Sequence, residues 1–209
     1  MRILKVNTYA PDSPLYSAFG PEVTFDVHRD RPPGFEACRA ADALINCSAT
    51  LSVGVPIEAF ERCRIVVREG VGYDNLDLAA WGARGVPVCN VPDYGTTEVA
   101  DHALALTLAL ARGTGSYDEA LRADPAGGWS YTTAPLVRRL RGATFAVLGL
   151  GRIGLATARR AAAIDMKVIF FDPYLSNGVD LATGFERVGS LEEAMARADI
   201  LSVLSLIHI

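Results

Sequence analysis

The chain has 209 residues, of which 50% are hydrophobic and 21% charged, and its formal net charge is −4. That composition belongs to one or two globular domains rather than a disordered chain, and the mild acidity gives no electrostatic footprint for nucleic acid. The longest apolar run, Val99 to Ala111, is interrupted by Asp101, His102 and Thr107 and is too short to span a bilayer, so no membrane partner is expected.

From the N-terminus, Met1-Arg2-Ile3-Leu4-Lys5-Val6 reads as a strand rather than a secretory leader, which points to a cytoplasmic location. Further β-rich runs follow at Val23–Val27, Ala43–Cys47, Arg64–Val67 and Val86–Cys89. Helical stretches at Phe35–Ala41, Ile57–Glu61 and Leu76–Arg84 separate several of them. Short apolar runs alternating with helices predict a parallel sheet covered on both faces. Cys38, Cys47, Cys63 and Cys89 show no C-x-x-C spacing, so neither a zinc site nor a disulfide framework is signalled. Cys47 and Cys89 lie in apolar runs and are expected to be buried thiols.

Pro92 to Thr97 forms a polar connection into a long helix. Glu98 and Asp101 fall in its first turn, Arg112 in its last and Gly113 just beyond, which suits the helix dipole and a glycine stop. Val99, Ala100, Ala103, Leu104, Leu106, Leu108 and Leu110 cover most of its circumference, which predicts burial on all sides, between domains or against a second copy. Residues 113–143 read as loop-rich, with Arg138, Arg139 and Arg141 as a solvated helix face. A second alternating unit then predicts strands at Thr144–Leu148, Lys167–Phe171 and Ile200–Val203 and helices at Ile153–Ile164 and Leu191–Ala196.

Gly149-Leu150-Gly151-Arg152-Ile153-Gly154 matches G-x-G-x-x-G. It follows a β-rich run, opens a helix, and is followed eighteen residues after Gly154 by Asp172 at the end of the next strand. Each part has a physical job in holding a dinucleotide. Gly149 permits the tight turn, Gly151 lets backbone approach a pyrophosphate, and Gly154 lets helix and strand pack closely. The helix start, with Arg152 and Ile153, offers N–H groups and partial positive charge to the phosphates. Asp172 is placed to accept from the adenosine ribose hydroxyls and to repel a 2′-phosphate, so the expected cofactor is NAD rather than NADP.

A dinucleotide unit preceded by a complete-looking α/β unit, with a long helix between them, resembles the D-isomer-specific 2-hydroxyacid dehydrogenases. Arg68-Glu69-Gly70-Val71-Gly72-Tyr73-Asp74-Asn75-Leu76-Asp77 is similar to that family's R-x-G-x-G-x-D-N-[IL]-D segment. Asn90-Val91-Pro92 and Glu98-Val99-Ala100-Asp101 resemble its N-x-P and E-x-A-[DE] stretches. Within the family, Phe171 to Val179 looks most like the branch of the C-terminal-binding co-repressors, with a more general similarity to phosphoglycerate dehydrogenases. The resemblance implies an α/β fold with parallel sheets: a flavodoxin-like substrate domain over 1–98, then a truncated Rossmann dinucleotide-binding domain over 99–209. It also implies that the N–H groups of Val71 and Gly72 hold a substrate carboxylate, a role a Gly-x-Gly turn suits because it exposes successive N–H groups. The implied partners are a small 2-hydroxy or 2-keto acid and a second copy in a homodimer. An NAD(H)-sensing regulatory protein is the alternative.

Asp74, Asn75 and Asp77 could suggest metal ligands, but at a helix start capping is their ordinary use, and no metal is expected. His102 reads as a structural or interface histidine, and Ala103 stands where the co-repressor-like proteins carry a hydroxyl. The family's catalytic Arg, Glu and His are implied to lie after this chain's last residue, so no catalytic residue is expected within it. Leu204 to Ile209 departs from the family pattern and looks like adapter read-through, so His208 is given no role. With three strands after residue 143, Thr144–Leu148 is expected to be left as an exposed edge, which predicts an inactive, aggregation-prone fragment.

Overall fold

The computed structural model describes residues 1–6, 14–28, 32–47, 56–131 and 134–204. The chain divides into two compact units, Met1–Tyr94 and Gly95–Ile209.

In the first unit β1 (Arg2–Val6), β2 (Thr24–His28), β3 (Ala43–Asn46), β4 (Val66–Arg68) and β5 (Val88–Asn90) form one parallel sheet, ordered β2-β1-β3-β4-β5. This is the flavodoxin-like order that the resemblance implied. Helices α1 (Phe35–Ala40) and α2 (Leu78–Ala83) accompany it. Asp77 caps α2, its carboxylate accepting from the Ala80 N–H at 2.8 Å. The helix expected at Ile57–Glu61 is only a 3₁₀ turn, Ile57–Ala59. The chain leaves helical angles at Phe60, whose buried ring packs edge-on to Trp81 with centroids 5.4 Å apart. Tertiary packing of that ring overrides the local propensity.

Leu4 and Val6 join Leu44, Phe60, Val66 and Trp81 in one core. Lys5, between them, points to the other face by the two-residue period of a strand. It is nevertheless 1% exposed, with its ammonium 3.1 Å from the Glu69 carboxylate and 5.7 Å from the Tyr16 ring centroid. The expectation of buried thiols at Cys47 and Cys89 is met at neither. Cys38 and Cys63 are buried and Cys47 half-buried, but Cys89 is exposed, because β5 is an edge strand and turns its middle residue outward.

The second unit opens with α3 (Thr96–Arg112) and α4 (Thr114–Ala123), which share Gly113 at φ +63° as stop and start. The loop-rich 113–143 stretch thus also holds a ten-residue helix, which Gly113 and Gly115 obscured. Arg138, Arg139 and Arg141 lie outside any helix, and Arg138 pairs with Asp199 at 3.3 Å. The remaining elements are β6 (Thr144–Leu148), α5 (Arg152–Ala163), β7 (Lys167–Phe171), α6 (Val179–Thr183), β8 (Glu186–Arg187), α7 (Leu191–Arg197) and β9 (Ile200–Val203). The strands form a parallel sheet ordered β8-β7-β6-β9. Phe145 and Val147 of β6 pack with Ala158 and Ala161 of α5 on one face. Ala146 and Leu148 pack with Ala194 of α7 on the other.

Two expectations fail here. Among the described residues four strands, not three, follow residue 143, since β8 is a charged pair too short to signal itself. With β9 on its other side, β6 is interior and its core residues are buried, so the expected exposed edge is absent. Among the described residues the edges of this sheet are β8 and β9, and on β9 Leu201 is 39% and Val203 59% exposed. Helix α3 is also not buried all round. Ala100, Thr107 and Ala111 are its buried residues, α3 packs against α5, and Val99, Leu106 and Leu110 are exposed. Small side chains, spaced seven and four apart, allow the close helix approach, and Leu106, Leu108 and Leu110 are left outside while Leu104 is half-buried. His208 and the other residues after Leu204 lie outside the described residues.

Candidate functional site

The predicted site residues gather in two places, one in each unit. In the second unit the turn Gly149–Gly154 joins β6 to α5. Gly149 sits at φ +86°, where a side chain would be strained. A Cβ on Gly154 would lie 2.0 Å from the Gly149 carbonyl oxygen, so the helix can close onto the turn only with glycine there. A Cβ on Gly151, by contrast, would meet nothing within 4 Å. The space above Gly151 is open, as a ligand approaching the backbone requires. Gly151 is the N-cap of α5 and provides no side-chain cap, and Arg152 and Ile153 follow it at the positive end of a 12-residue helix.

Strand register sets the acidic partner. Leu148 of β6 pairs with Phe171 of β7, so Asp172 emerges beside the glycine turn. Its Oδ2 accepts from the Leu150 N–H at 2.9 Å and its Oδ1 from the Tyr174 N–H at 3.0 Å. Each carboxylate oxygen keeps a second lone-pair site for a ligand hydroxyl. Asp172, Asn177, Gly178 and Arg187 line a concave pocket of about 620 Å³. An open glycine cradle, an uncapped helix start and an anchored carboxylate together fit an adenine dinucleotide.

In the first unit the Gly70–Gly72 loop leaves the carboxyl end of β4. Neither glycine has a positive φ, so the turn does not use glycine for left-handed backbone. A Cβ on Gly70 would meet the Arg68 guanidinium, the movable end of a side chain, which donates to the Glu69 carbonyl at 2.7 Å. The loop is held from the neighbouring strand. The Gly70 carbonyl accepts from the Val91 N–H at 3.1 Å, and the Val71 carbonyl accepts from Asn90 Nδ2 at 2.8 Å. In a trans peptide the N–H points opposite to the carbonyl, and no cis peptide occurs among the described residues. Pinning the Gly70 and Val71 carbonyls toward β5 therefore aims the N–H groups of Val71 and Gly72 away from it.

Other reactive groups are quiet. Burial pushes the Cys38 thiol up to about 11, and burial likewise raises Cys63 and, with Glu69 beside it, Cys47. His102 is exposed on α3. Among the described residues no group of three His, Cys, Asp or Glu could hold a metal, and no helix is long and apolar enough to cross a membrane.

Residues 104–207 match the family model described as D-isomer specific 2-hydroxyacid dehydrogenase, NAD binding domain. The chain is 40% identical over 174 residues to D-3-phosphoglycerate dehydrogenase of Mycobacterium bovis, an alignment covering 83% of this chain and 32% of that protein. The Mycobacterium tuberculosis enzyme gives the same figures. The chain belongs to the D-isomer-specific 2-hydroxyacid dehydrogenase family. It spans about a third of the length of these curated relatives. The TT0316 protein of Thermus thermophilus superposes with a TM-score of 0.80 at 27% identity, covering 98% of this chain and 65% of that one. D-lactate dehydrogenase of Aquifex aeolicus, solved with NAD and lactic acid, superposes at 0.81 and 22% identity, covering 96% and 60%, which speaks to the fold alone.

Seen as a family member, the chain holds positioning residues that sequence reasoning passed over. Asn90 lay inside a quoted family stretch, but nothing local signals that its amide reaches back to Val71. Arg187 carried no signal at all, because its partners are backbone carbonyls on a different loop.

Proposed function

We propose that this chain provides the NAD cradle and the carboxylate anchor of an oxidoreductase acting on the CH–OH group of a small D-2-hydroxy acid, or on the matching 2-keto acid. The observation that carries the reading is the glycine turn with Asp172 beside it. Gly149, Gly151 and Gly154 shape the turn, Arg152 and Ile153 present N–H groups to the pyrophosphate, and Asp172 takes the adenosine ribose hydroxyls. Bound NAD supplies the hydride-accepting nicotinamide. Val71 and Gly72 hold the substrate carboxylate through two N–H groups aimed by Asn90 and Val91. Two fixed N–H donors are a backbone answer to an anion, and they orient the 2-carbon without adding a charged side chain. No residue of this chain is given the alcohol proton.

The exposed Val99, Leu106 and Leu110 on α3 support a homodimer as the working assembly. Four free thiols support a reducing, cytoplasmic compartment. The test is NADH titration followed by addition of 2-keto acids, with backbone amide signals recorded by NMR. The expected result is a shift of the Val71 and Gly72 amides with a 2-keto acid and none with the corresponding ketone lacking the carboxylate. Equal shifts with both, or none with either, would contradict the anchor.

A further inference from the structure

Arg187 sits on the two-residue strand β8, in register with Phe170 of β7. From there its side chain reaches the loop that leaves β7. Nη2 donates to the Asp172 carbonyl at 2.6 Å and to the Leu175 carbonyl at 3.0 Å, and Nη1 donates to the Ser176 carbonyl at 3.3 Å. Three carbonyl dipoles thus converge on one guanidinium. Without the cation they would repel one another and the loop would open. The same loop carries Asp172, whose carboxylate is held separately by the Leu150 and Tyr174 N–H groups. The planar fork suits donors spread over three oxygens, whereas an ammonium is a point charge that cannot reproduce the fan.

Charge in the pocket points the same way. Its lining contains two carboxylates, Asp172 and Asp180, and one cationic side chain, Arg187. That cation is already engaged by the loop carbonyls, so it does not turn outward to meet a phosphate.

We infer that Arg187 is the positioning residue of the adenosine subsite: it locks the Asp172–Ser176 loop so that Asp172 meets free ribose hydroxyls, and by being so engaged it leaves a 2′-phosphate without a cation. The inference rests on the cofactor reading of the glycine turn. It also says that neutralising Asp172 does not convert the site to 2′-phosphorylated cofactors, because Arg187 stays with the carbonyls.

The experiment measures affinities of the purified protein for ADP-ribose, for ADP-ribose carrying a 2′-phosphate, and for inorganic pyrophosphate. The variants are Arg187→Gln and Arg187→Lys. Arg187→Gln is expected to weaken ADP-ribose about tenfold or more, as loss of charge-assisted hydrogen bonds implies, while pyrophosphate binding at the Gly149–Gly154 turn changes less than about twofold. Arg187→Lys is expected to recover part of the loss, and discrimination against the 2′-phosphate is expected to shrink in both variants. Equal loss of pyrophosphate and ADP-ribose would reduce Arg187 to a general fold contact. Selective loss of the 2′-phosphorylated ligand would make it a phosphate binder, and either result overturns the inference. Unchanged ADP-ribose binding in Arg187→Gln defeats the inference alone, whereas an unmutated protein that binds neither ADP-ribose nor pyrophosphate defeats the cofactor reading beneath it.

Discussion

Each unit has, at the carboxyl end of a parallel sheet, a glycine-containing loop whose backbone N–H groups are the proposed anion contacts, yet the two aim those groups by different means. In the second unit the aim is local: the strand ends, glycine turns the chain at φ +86°, and the start of α5 presents its own N–H groups. In the first unit the N–H groups of Val71 and Gly72 are aimed by β5, through Asn90 and Val91, and the loop begins beside the ion pair of buried Lys5 with the partly exposed Glu69. A site whose determinants are contiguous tolerates little change within the turn but depends on few distant residues. A site held from a neighbouring strand shows the opposite sensitivity.

The largest effect is expected where local geometry is tightest. Gly154→Ala would place a Cβ 2.0 Å from the Gly149 carbonyl oxygen, and backbone must move to admit it. We expect destabilisation of the second unit by about 3 kcal/mol, the upper range for overpacking, read by denaturant unfolding, with NADH binding lost. A variant of unchanged stability would show that the turn is not closed against the helix.

Glu69→Ala tests the distant support. It strands the Lys5 ammonium, which is 1% exposed, while Glu69 itself is 39% exposed, so the usual cost of breaking a buried pair is discounted to about 2 kcal/mol. All four cysteines lie in the first unit, so alkylation rates report its opening. Cys38, with its thiol pushed up to about 11, holds little thiolate near pH 8 and gains it only as pH rises toward that value. Exposed Cys89 is expected to react first in the unmutated protein, and Glu69→Ala to speed Cys38 and Cys63 while leaving NADH binding intact. Unchanged alkylation would remove the ion pair from the account.

Two smaller effects separate aim from fold. Gly151→Val adds a side chain where the structure is empty, so unfolding should not shift, and NADH affinity should fall about tenfold by exclusion of the pyrophosphate. Asn90→Ala removes one hydrogen bond, worth about 1 kcal/mol. Its expected signature is weaker 2-keto acid response at the Val71 and Gly72 amides, with cofactor binding unaltered. A Gly151→Val protein with full NADH affinity, or an Asn90→Ala protein with full keto-acid response, would show that the respective backbone is not the binding surface.

The same contrast explains what the sequence made legible. Strand positions, both parallel sheets and the glycine turn with Asp172 follow from patterns a few residues long, and the structure has them. Strand β8 escaped because two charged residues carry no periodicity. The edge expectation for β6 failed for another reason: β9 pairs with β6 on the side away from β7, and no local residue pattern announces that pairing. Helix α4 escaped because Gly113 and Gly115 read as loop. Helix α3 misled because its large apolar side chains suggested burial all round, although its small residues make the packed stripe. Asn90 and Arg187 act on carbonyls, and a carbonyl is available at every residue, so no residue pattern marks them in advance.

The account stands on Asp172 reading free ribose hydroxyls beside the Gly149–Gly154 turn, and the most direct measurement is the ratio of NADH to NADPH affinity in the unmutated protein and in Asp172→Ala. The account predicts NADH bound at least about tenfold more tightly than NADPH, as loss of one charged hydrogen-bond partner and one repulsion implies, with the ratio falling in Asp172→Ala chiefly through weaker NADH. Equal affinities in the unmutated protein, or a ratio untouched by Asp172→Ala, would contradict it.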